Sequence, residues 1–193
     1  MTAVERHAGD APISADERAR LLPSLSTRAQ LDELERLSVN AARVWAMRDA
    51  VLRRTDLLSE GFARELHRRM FRGIWRTAGK YRTSERNPGW EPHRIAEGVA
   101  MFFDDADGWL RFSTFPVHEA AVRLHQRLVS MRPWSNGNGR HARLVADVVV
   151  AANGERPLTW GAFSAGSPRE RYLEAVRAAE AGDYAVLLDF ARG

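Results

Sequence analysis

The residues best suited to chemistry form a short run between two helical patterns. The run reads Met131-Arg132-Pro133-Trp134-Ser135-Asn136-Gly137-Asn138-Gly139-Arg140-His141-Ala142-Arg143 and leads into an apolar helical segment at 142–152. Its glycines let the backbone bend sharply and approach a ligand closely. A helix N-terminus carries unpaired N–H groups and a partial positive charge, so it attracts anions. Arg140 and Arg143 share one face of this helix. Their guanidinium groups, beside exposed N–H groups, predict a polyphosphate site.

This run resembles the signature of the Fic family, H-P-F-x-D/E-G-N-G-R-x-x-R. The matching positions are Pro133, Gly137, Asn138, Gly139, Arg140 and Arg143. The wording of residues 135–143 is most similar to the branch called mobile mystery protein B. Three positions depart from the signature, because Trp134 replaces Phe, Asn136 replaces the acidic residue and Arg132 replaces the His.

The resemblance implies nucleotide chemistry, since most Fic enzymes move AMP from ATP onto a Ser, Thr or Tyr hydroxyl of a target protein. It implies that the nucleotide phosphates are bound by Gly137, Asn138, Gly139, Arg140 and Arg143. It places Asn136 at the Mg²⁺ position and Arg132 at the position of the catalytic His. A guanidinium keeps its proton, so Arg132 is not a base. Asn136 offers Mg²⁺ a carbonyl oxygen without negative charge, so metal binding is weakened.

Three functions are compatible with these residues. The first is a divergent Fic-type transferase of AMP or another phosphate-linked group, with His93 or His141 as the substitute base. The second is a catalytically inactive Fic protein that binds ATP, another nucleotide or a protein partner. The third is a basic helical domain that binds nucleic acid. The third is the least favoured, because the Arg residues are interleaved with Glu and Asp.

Helices must position this loop, because apolar residues recur at helical spacing through most of the chain. The sequence predicts an all-α fold, with a helix at 28–54 that begins at a capping box of Thr27 and Gln30. Ser59 and Asp183 are predicted to cap later helices. His125 falls on an apolar stripe, which indicates a hydrogen-bonded core histidine.

We expect one Fic-like domain over residues 1–193. It consists of a loose tail at 1–13, a core at about 59–153 and C-terminal helices at 167–192, the first capped by a box of Ser167 and Glu170. The absence of cysteine and the absence of a long apolar run are typical of a cytoplasmic protein without membrane contact.

The stretch 73–92 is rich in turn residues, and its sequence predicts a β-hairpin with one arm at 81–86 and the turn at 87–89. The resemblance implies that this hairpin is a flap over the site. Tyr81, Arg82, Thr83 and Ser84 would then hold a target protein by strand addition.

Overall fold

Helices make up most of the computed structural model, which describes residues 13–85, 87–161 and 168–193. In chain order these helices are α1 (Ala15–Arg20), α2 (Arg28–Ala46), α3 (Asp49–Leu52), α4 (Glu60–Phe71), α5 (Ile95–Arg111), α6 (Val117–Met131), α7 (Asn138–Ala152), α8 (Pro168–Glu180) and α9 (Tyr184–Arg192). A 3₁₀ turn at Pro92–Arg94 leads into α5. The prediction of a helical fold is confirmed. Within the described part of the chain, no helix is both long enough and apolar enough to cross a bilayer.

Local sequence explains where several helices begin. Thr27 accepts a hydrogen bond from the N–H of Gln30, and the Gln30 side chain accepts one from the N–H of Thr27, so the predicted capping box is present. Ser59 and Asp183 cap α4 and α9 as predicted.

Two boundaries differ from the prediction, and one prediction lies outside the described residues. The single helix predicted at 28–54 is wrong, because the chain turns after Ala46 and starts a new helix at Asp49, an acidic residue of the kind favoured in a first turn. Ile13, placed in the loose tail, is buried with 2% of its surface exposed. The predicted cap at Ser167 lies outside the described residues.

Helix α7 runs through the centre of the molecule and packs against α6, α4, α2 and α3. Its buried side chains include Ala142, Val145, Ala146, Val148 and Val150. Removing their apolar surface from water stabilises the packing of α7 against its neighbours. The buried carboxylate of Asp147 accepts hydrogen bonds from Arg43 at 2.6 Å and from the indole of Trp160 at 2.9 Å. These contacts fix the direction in which the N-terminus of α7 points.

The predicted hairpin is not confirmed, because no strand forms in the described residues of the stretch, 73–85 and 87–92. Tyr81 instead makes an isolated antiparallel bridge with Trp134 of the α6–α7 loop. The Arg82 side chain is buried, and its guanidinium donates hydrogen bonds to the carbonyls of Arg132, Met131, Trp90 and Ser84. Residues 81–82 are therefore held against the loop instead of against a second hairpin arm.

Candidate functional site

The α6–α7 loop, residues 132–137, is shaped by two left-handed backbone positions. Arg132 ends α6 with φ 53°, and Gly137 precedes α7 with φ 70°. A Cβ atom at Gly137 would lie 2.3 Å from the nearest atom of the Phe71 ring. Glycine is therefore required at 137 both by the backbone angle and by this close approach.

The inner face of the loop is held by Trp134 and His141. Trp134 is 1% exposed, and its indole N–H donates to Nδ1 of His141 at 3.1 Å. The opposite ring nitrogen of His141, Nε2, donates to the carbonyl of Ala63 at 2.9 Å. Both ring nitrogens are thus occupied, and burial lowers the pKa of His141 to about 4. The prediction of His141 as a substitute base is wrong, because it is a neutral, fully bonded structural group.

His67 of α4 supports the loop from the inner face. Sequence reasoning missed this residue because it falls on the apolar face of its helix. The N–H of Gly79 donates to Nδ1 of His67 at 2.9 Å, so Nε2 carries the proton and donates to the carbonyl of Asn136 at 3.3 Å. The ring also stacks on Trp134 with a centroid separation of 4.2 Å. Burial, with a smaller contribution from His141, holds the pKa of His67 well below its usual value.

The Asn138 side chain also belongs to the inner face. Its Oδ1 accepts from the N–H of Trp134 and its Nδ2 donates to the carbonyl of Trp134, both at 2.8 Å. The Asn138 side chain therefore closes the loop, and the predicted phosphate contact at Asn138 stays a prediction for its backbone N–H. Its backbone N–H remains in the first turn of α7, where N–H groups have no helical acceptor.

The outer face of the loop opens into a cavity of about 340 Å³. Its walls are Val129, Arg132, Trp134, Ser135, Asn136, Asn138 and Gly139. Both amide atoms of Asn136 are buried and have no hydrogen-bond partner among the described residues. A buried amide left unpaired costs about 1–3 kcal/mol per group. A ligand that carries hydrogen-bonding groups would remove this cost.

Arg140 and Arg143 differ in their contacts. The Arg140 guanidinium donates to Oε2 of Glu35 at 2.6 Å, and the same carboxylate accepts from the indole of Trp75 at 2.6 Å. A buried glutamate on α2 thus holds Arg140 in this structure, and its predicted phosphate contact stays a prediction. The Cζ atom of the Arg143 guanidinium lies 5.1 Å from the centroid of the Tyr172 ring. Arg143 makes no ion pair within the described part of the chain. Arg143 is thus the arginine of this pair available to a ligand.

A second cavity of about 400 Å³ lies beside Arg143. It is lined by Arg143, Trp160, Arg169, Tyr172, Leu173 and Phe190. The Tyr172 hydroxyl would be 3.6 Å from a Cβ atom on Gly139, so Tyr172 connects this cavity to the first turn of α7. Sequence reasoning treated Tyr172 as a helix-packing residue and missed this position.

The Tyr172 hydroxyl lies 3.2 Å from Nε2 of His125. His125 is buried, as predicted for a core histidine, and burial lowers its pKa to about 3. Burial also raises the pKa of Tyr172. Both groups are therefore neutral near pH 7 and provide a polar but uncharged edge to the aromatic cavity.

The remaining candidates lie away from this centre or only border it. His93 is exposed on the 3₁₀ turn, 3.6 Å from the carboxylate of Glu91. The Tyr81 ring packs on Trp134 at 4.9 Å, while Thr83 and Ser84 are exposed.

The described residues contain no group of three or more His, Cys, Asp or Glu side chains arranged for a metal. Asn136 alone offers a neutral oxygen at the predicted Mg²⁺ position, whereas hard cations favour carboxylates. The residues present do not fit a resident Mg²⁺.

Comparison with known proteins agrees with the fold and the loop. The Fic/DOC family model matches residues 57–150, which identifies this part of the chain as a Fic/DOC domain. It is 36% identical over 74 residues to a uridine 5'-monophosphate transferase of Xanthomonas campestris, a match that spans 34% of this chain and 13% of that protein.

Two solved structures share the fold. Fic-1 from C. elegans matches with a TM-score of 0.68 and 24% identity, covering 91% of this chain and 51% of that chain. The BepC protein from Bartonella tribocorum, a VirB-translocated effector with bound AMPPNP, matches with a TM-score of 0.68 and 15% identity, covering 93% and 97%.

Proposed function

We propose that this chain binds a nucleotide, with its phosphates at the N-terminus of α7 and its base against the aromatic cavity. The observation that carries this proposal is the cavity at the first turn of α7, which Asn136, Asn138 and Gly139 line, together with the buried and unpartnered amide of Asn136. A phosphate oxygen can accept from the amide N–H₂ and from the first-turn N–H groups together.

Charge supports this assignment. Arg132 is exposed and lines the cavity, and Arg143 lies next to it; neither forms an ion pair with another described residue. No carboxylate is found among the residues that line the cavity. Two unpaired guanidinium groups beside a helix N-terminus favour a ligand with several negative charges.

The aromatic cavity supports a nucleoside instead of a bare phosphate. Trp160, Tyr172 and Phe190 offer flat apolar surface, and Arg143 connects them to the phosphate end. Ligand sites commonly combine apolar walls with a few polar groups of this kind. The AMPPNP bound to BepC is consistent with a nucleotide as ligand.

Ordinary transfer to a hydroxyl lacks a base. Arg132 stands where the Fic signature has its catalytic His, and a guanidinium does not accept the proton. Both ring nitrogens of His141 already form hydrogen bonds on the inner face, and His93 is exposed beside Glu91. Loss of a general base slows such a reaction by about 10²–10⁴-fold. The proposed function is therefore nucleotide binding with slow transfer or none.

A second candidate is a divergent transferase, favoured by the similarity to the uridine 5'-monophosphate transferase. Its target would lie along residues 81–84, where Thr83 and Ser84 are exposed beside the Tyr81–Trp134 bridge. Intact-mass analysis after incubation with each nucleoside triphosphate would detect such a transfer to this chain or to a lysate protein.

Calorimetric titration with ATP, UTP, CTP and GTP tests the proposal. At least one nucleotide should bind, and Arg143→Ala should weaken binding by about 1.5–3 kcal/mol, the usual contribution of a hydrogen bond to a charged group. Arg177→Ala removes an exposed arginine elsewhere on α8 and is the matched control. Failure of all four nucleotides to bind, or equal affinities of the Arg143 variant and the unmodified protein, would overturn the proposal.

A further inference from the structure

Residues 66–84 contain six basic residues and no acidic residue. Two of the six have structural roles, since Arg69 pairs with Glu65 and Arg82 is buried against backbone carbonyls. The other four are exposed and form no ion pair within the described ranges. We name them the basic surface: Arg68, Arg72, Arg76 and Lys80.

The backbone brings these four residues together. The N–H of Arg72 donates to the carbonyl of Arg68, so the two are one helical turn apart at the end of α4. Successive tight turns through residues 73–80 then reverse the chain. A Cβ atom on Gly79 would lie 2.9 Å from Cβ of Arg68, which places Lys80 beside the residue where the segment began.

Four acidic residues near the basic surface pair with other arginines and so do not neutralise it. These pairs are Asp16–Arg20 and Glu17–Arg28 at the α1 side, and Glu60–Arg64 and Glu65–Arg54 at the α4 side. Helix α1 borders the surface directly, since the N–H of Arg76 donates to the carbonyl of Arg20. The four exposed charges thus create a local positive potential that an incoming partner would meet.

The basic surface adjoins the loop that forms the nucleotide site. Phe71, immediately before Arg72, contacts Gly137 with its ring, and Tyr81, immediately after Lys80, bridges to Trp134. A chain that lies on the basic surface therefore reaches the edge of the α6–α7 loop.

We propose that the basic surface docks an acidic segment of a partner protein next to the bound nucleotide. The position of the docked segment relative to a nucleotide depends on the proposed function, whereas the docking itself does not. Opposite charges steer such encounters and select against basic partners.

The composition of the surface favours protein over nucleic acid. Of the aromatic residues in the segment, Phe71 and Trp75 are 0% and 6% exposed, and the partly buried Tyr81 ring packs against Trp134, so bases find little exposed surface on which to stack. Four cations are also fewer than the roughly 6–10 phosphate contacts of a typical DNA-binding surface.

Fluorescence anisotropy with the full chain tests the docking. The probes are a labelled twelve-residue peptide with alternating Glu and Ser, the same peptide with Lys for Glu, and a single-stranded oligonucleotide of the same net charge as the acidic peptide. The triple variant Arg72→Glu, Arg76→Glu, Lys80→Glu reverses the basic surface. The control triple Arg48→Glu, Arg177→Glu, Arg192→Glu reverses three exposed arginines elsewhere. Thermal unfolding confirms that both variants are folded.

The acidic peptide should bind the unmodified protein and the control variant, and should bind the basic-surface variant about tenfold or more weakly, because each exposed charge contributes modestly. Binding should also weaken with added salt. Equal losses in both triple variants, or tighter binding of the oligonucleotide than of the peptide, would overturn the proposal. Nucleotide calorimetry on the same samples separates the proposed nucleotide site from the proposed docking surface. Peptide binding without nucleotide binding would refute only the proposed function. Nucleotide binding without peptide binding would refute only the docking surface.

Discussion

The two faces of the α6–α7 loop differ in whether their polar and charged groups have partners. On the inner face, Trp134, Asn138 and His141 satisfy one another's polar groups, and His67 holds the Asn136 carbonyl. On the outer face, the Asn136 amide has no partner in the described structure, and Arg132 and Arg143 have no counter-ion there. Buried polar groups are normally paired, so an unpaired one needs an explanation. The inner face fixes the shape of the loop, and the proposed nucleotide would complete the outer face.

Restoring the signature residues on the outer face should give the largest effect. The double variant Arg132→His, Asn136→Asp adds a base and a metal carboxylate while the inner face stays unchanged. We expect AMP transfer from ATP to rise by about 10²–10⁴-fold, the usual contribution of general-base catalysis, and mass spectrometry would detect the added AMP. The same double variant with Arg143→Ala is the control. Robust transfer by the unmodified protein would show that the absence of the His does not limit this chain.

Acid should destabilise the fold through buried histidines, namely His67 and His141 of the inner face and His125 beside the aromatic cavity. Buried His141, His125 and His67 are neutral in the folded protein, whereas in the unfolded chain they take up protons below a pH of about 6.5. The unfolded state therefore binds more protons, and the free energy of unfolding falls as the pH decreases from about 6.5 toward the folded pKa of about 4 for His141. At pH 5, about 1.5 pH units below the ordinary histidine pKa, His141 should cost about 2 kcal/mol.

Urea denaturation between pH 7 and pH 5 would measure this loss, in a range above the titration of most carboxylates. His93→Gln changes an exposed histidine outside this buried set and is the matched control. A free energy of unfolding that stays constant over this range would contradict the neutral histidine network.

A methyl group at Gly137 should also disturb the inner face. Gly137→Ala combines a positive φ with a clash against the Phe71 ring, for which we expect about 2–4 kcal/mol of destabilisation. Gly154 has φ 78° and open space around it, so Gly154→Ala should cost only about 1 kcal/mol. The difference between the free energies of urea unfolding of the two variants isolates the cost of the clash. Equal losses of stability would show that the Phe71 ring moves aside without a measurable cost.

The smallest expected change concerns Arg140, which belongs to neither face while Glu35 holds it. Glu35→Gln keeps an acceptor for the Trp75 indole but removes the negative charge, so Arg140 becomes available to phosphate. Nucleotide affinity should rise by about tenfold, equivalent to about 1.4 kcal/mol. Calorimetry on this variant and on Glu33→Gln, an exposed position on the same helix, would measure it. Unchanged affinity would show that Arg140 does not reach the ligand.

Features that depend on neighbouring residues could be predicted from the sequence. The loop with its glycines, the capping box at Thr27 and the core position of His125 all follow from local spacing. The hairpin was predicted from local turn residues, but Arg82 found carbonyl partners about fifty positions away, beside the α6–α7 loop.

Partners distant in sequence were missed for the same reason. Glu35 is 105 positions from Arg140, and neither spacing nor composition connects them. His67 and Tyr172 fall on the packed faces of their helices, so their sequence pattern is that of core residues.

Amide NMR shifts on titration with ADP test the central claim most directly. If phosphate binds at the N-terminus of α7, the N–H signals of Gly139 and Arg140 and the side-chain amide of Asn136 should shift with a common saturation curve. Signals from the exposed end of α9, such as Arg192, should stay in place. Saturable ADP binding that leaves Gly139, Arg140 and Asn136 unshifted would contradict the account, because the nucleotide would then occupy another part of the molecule.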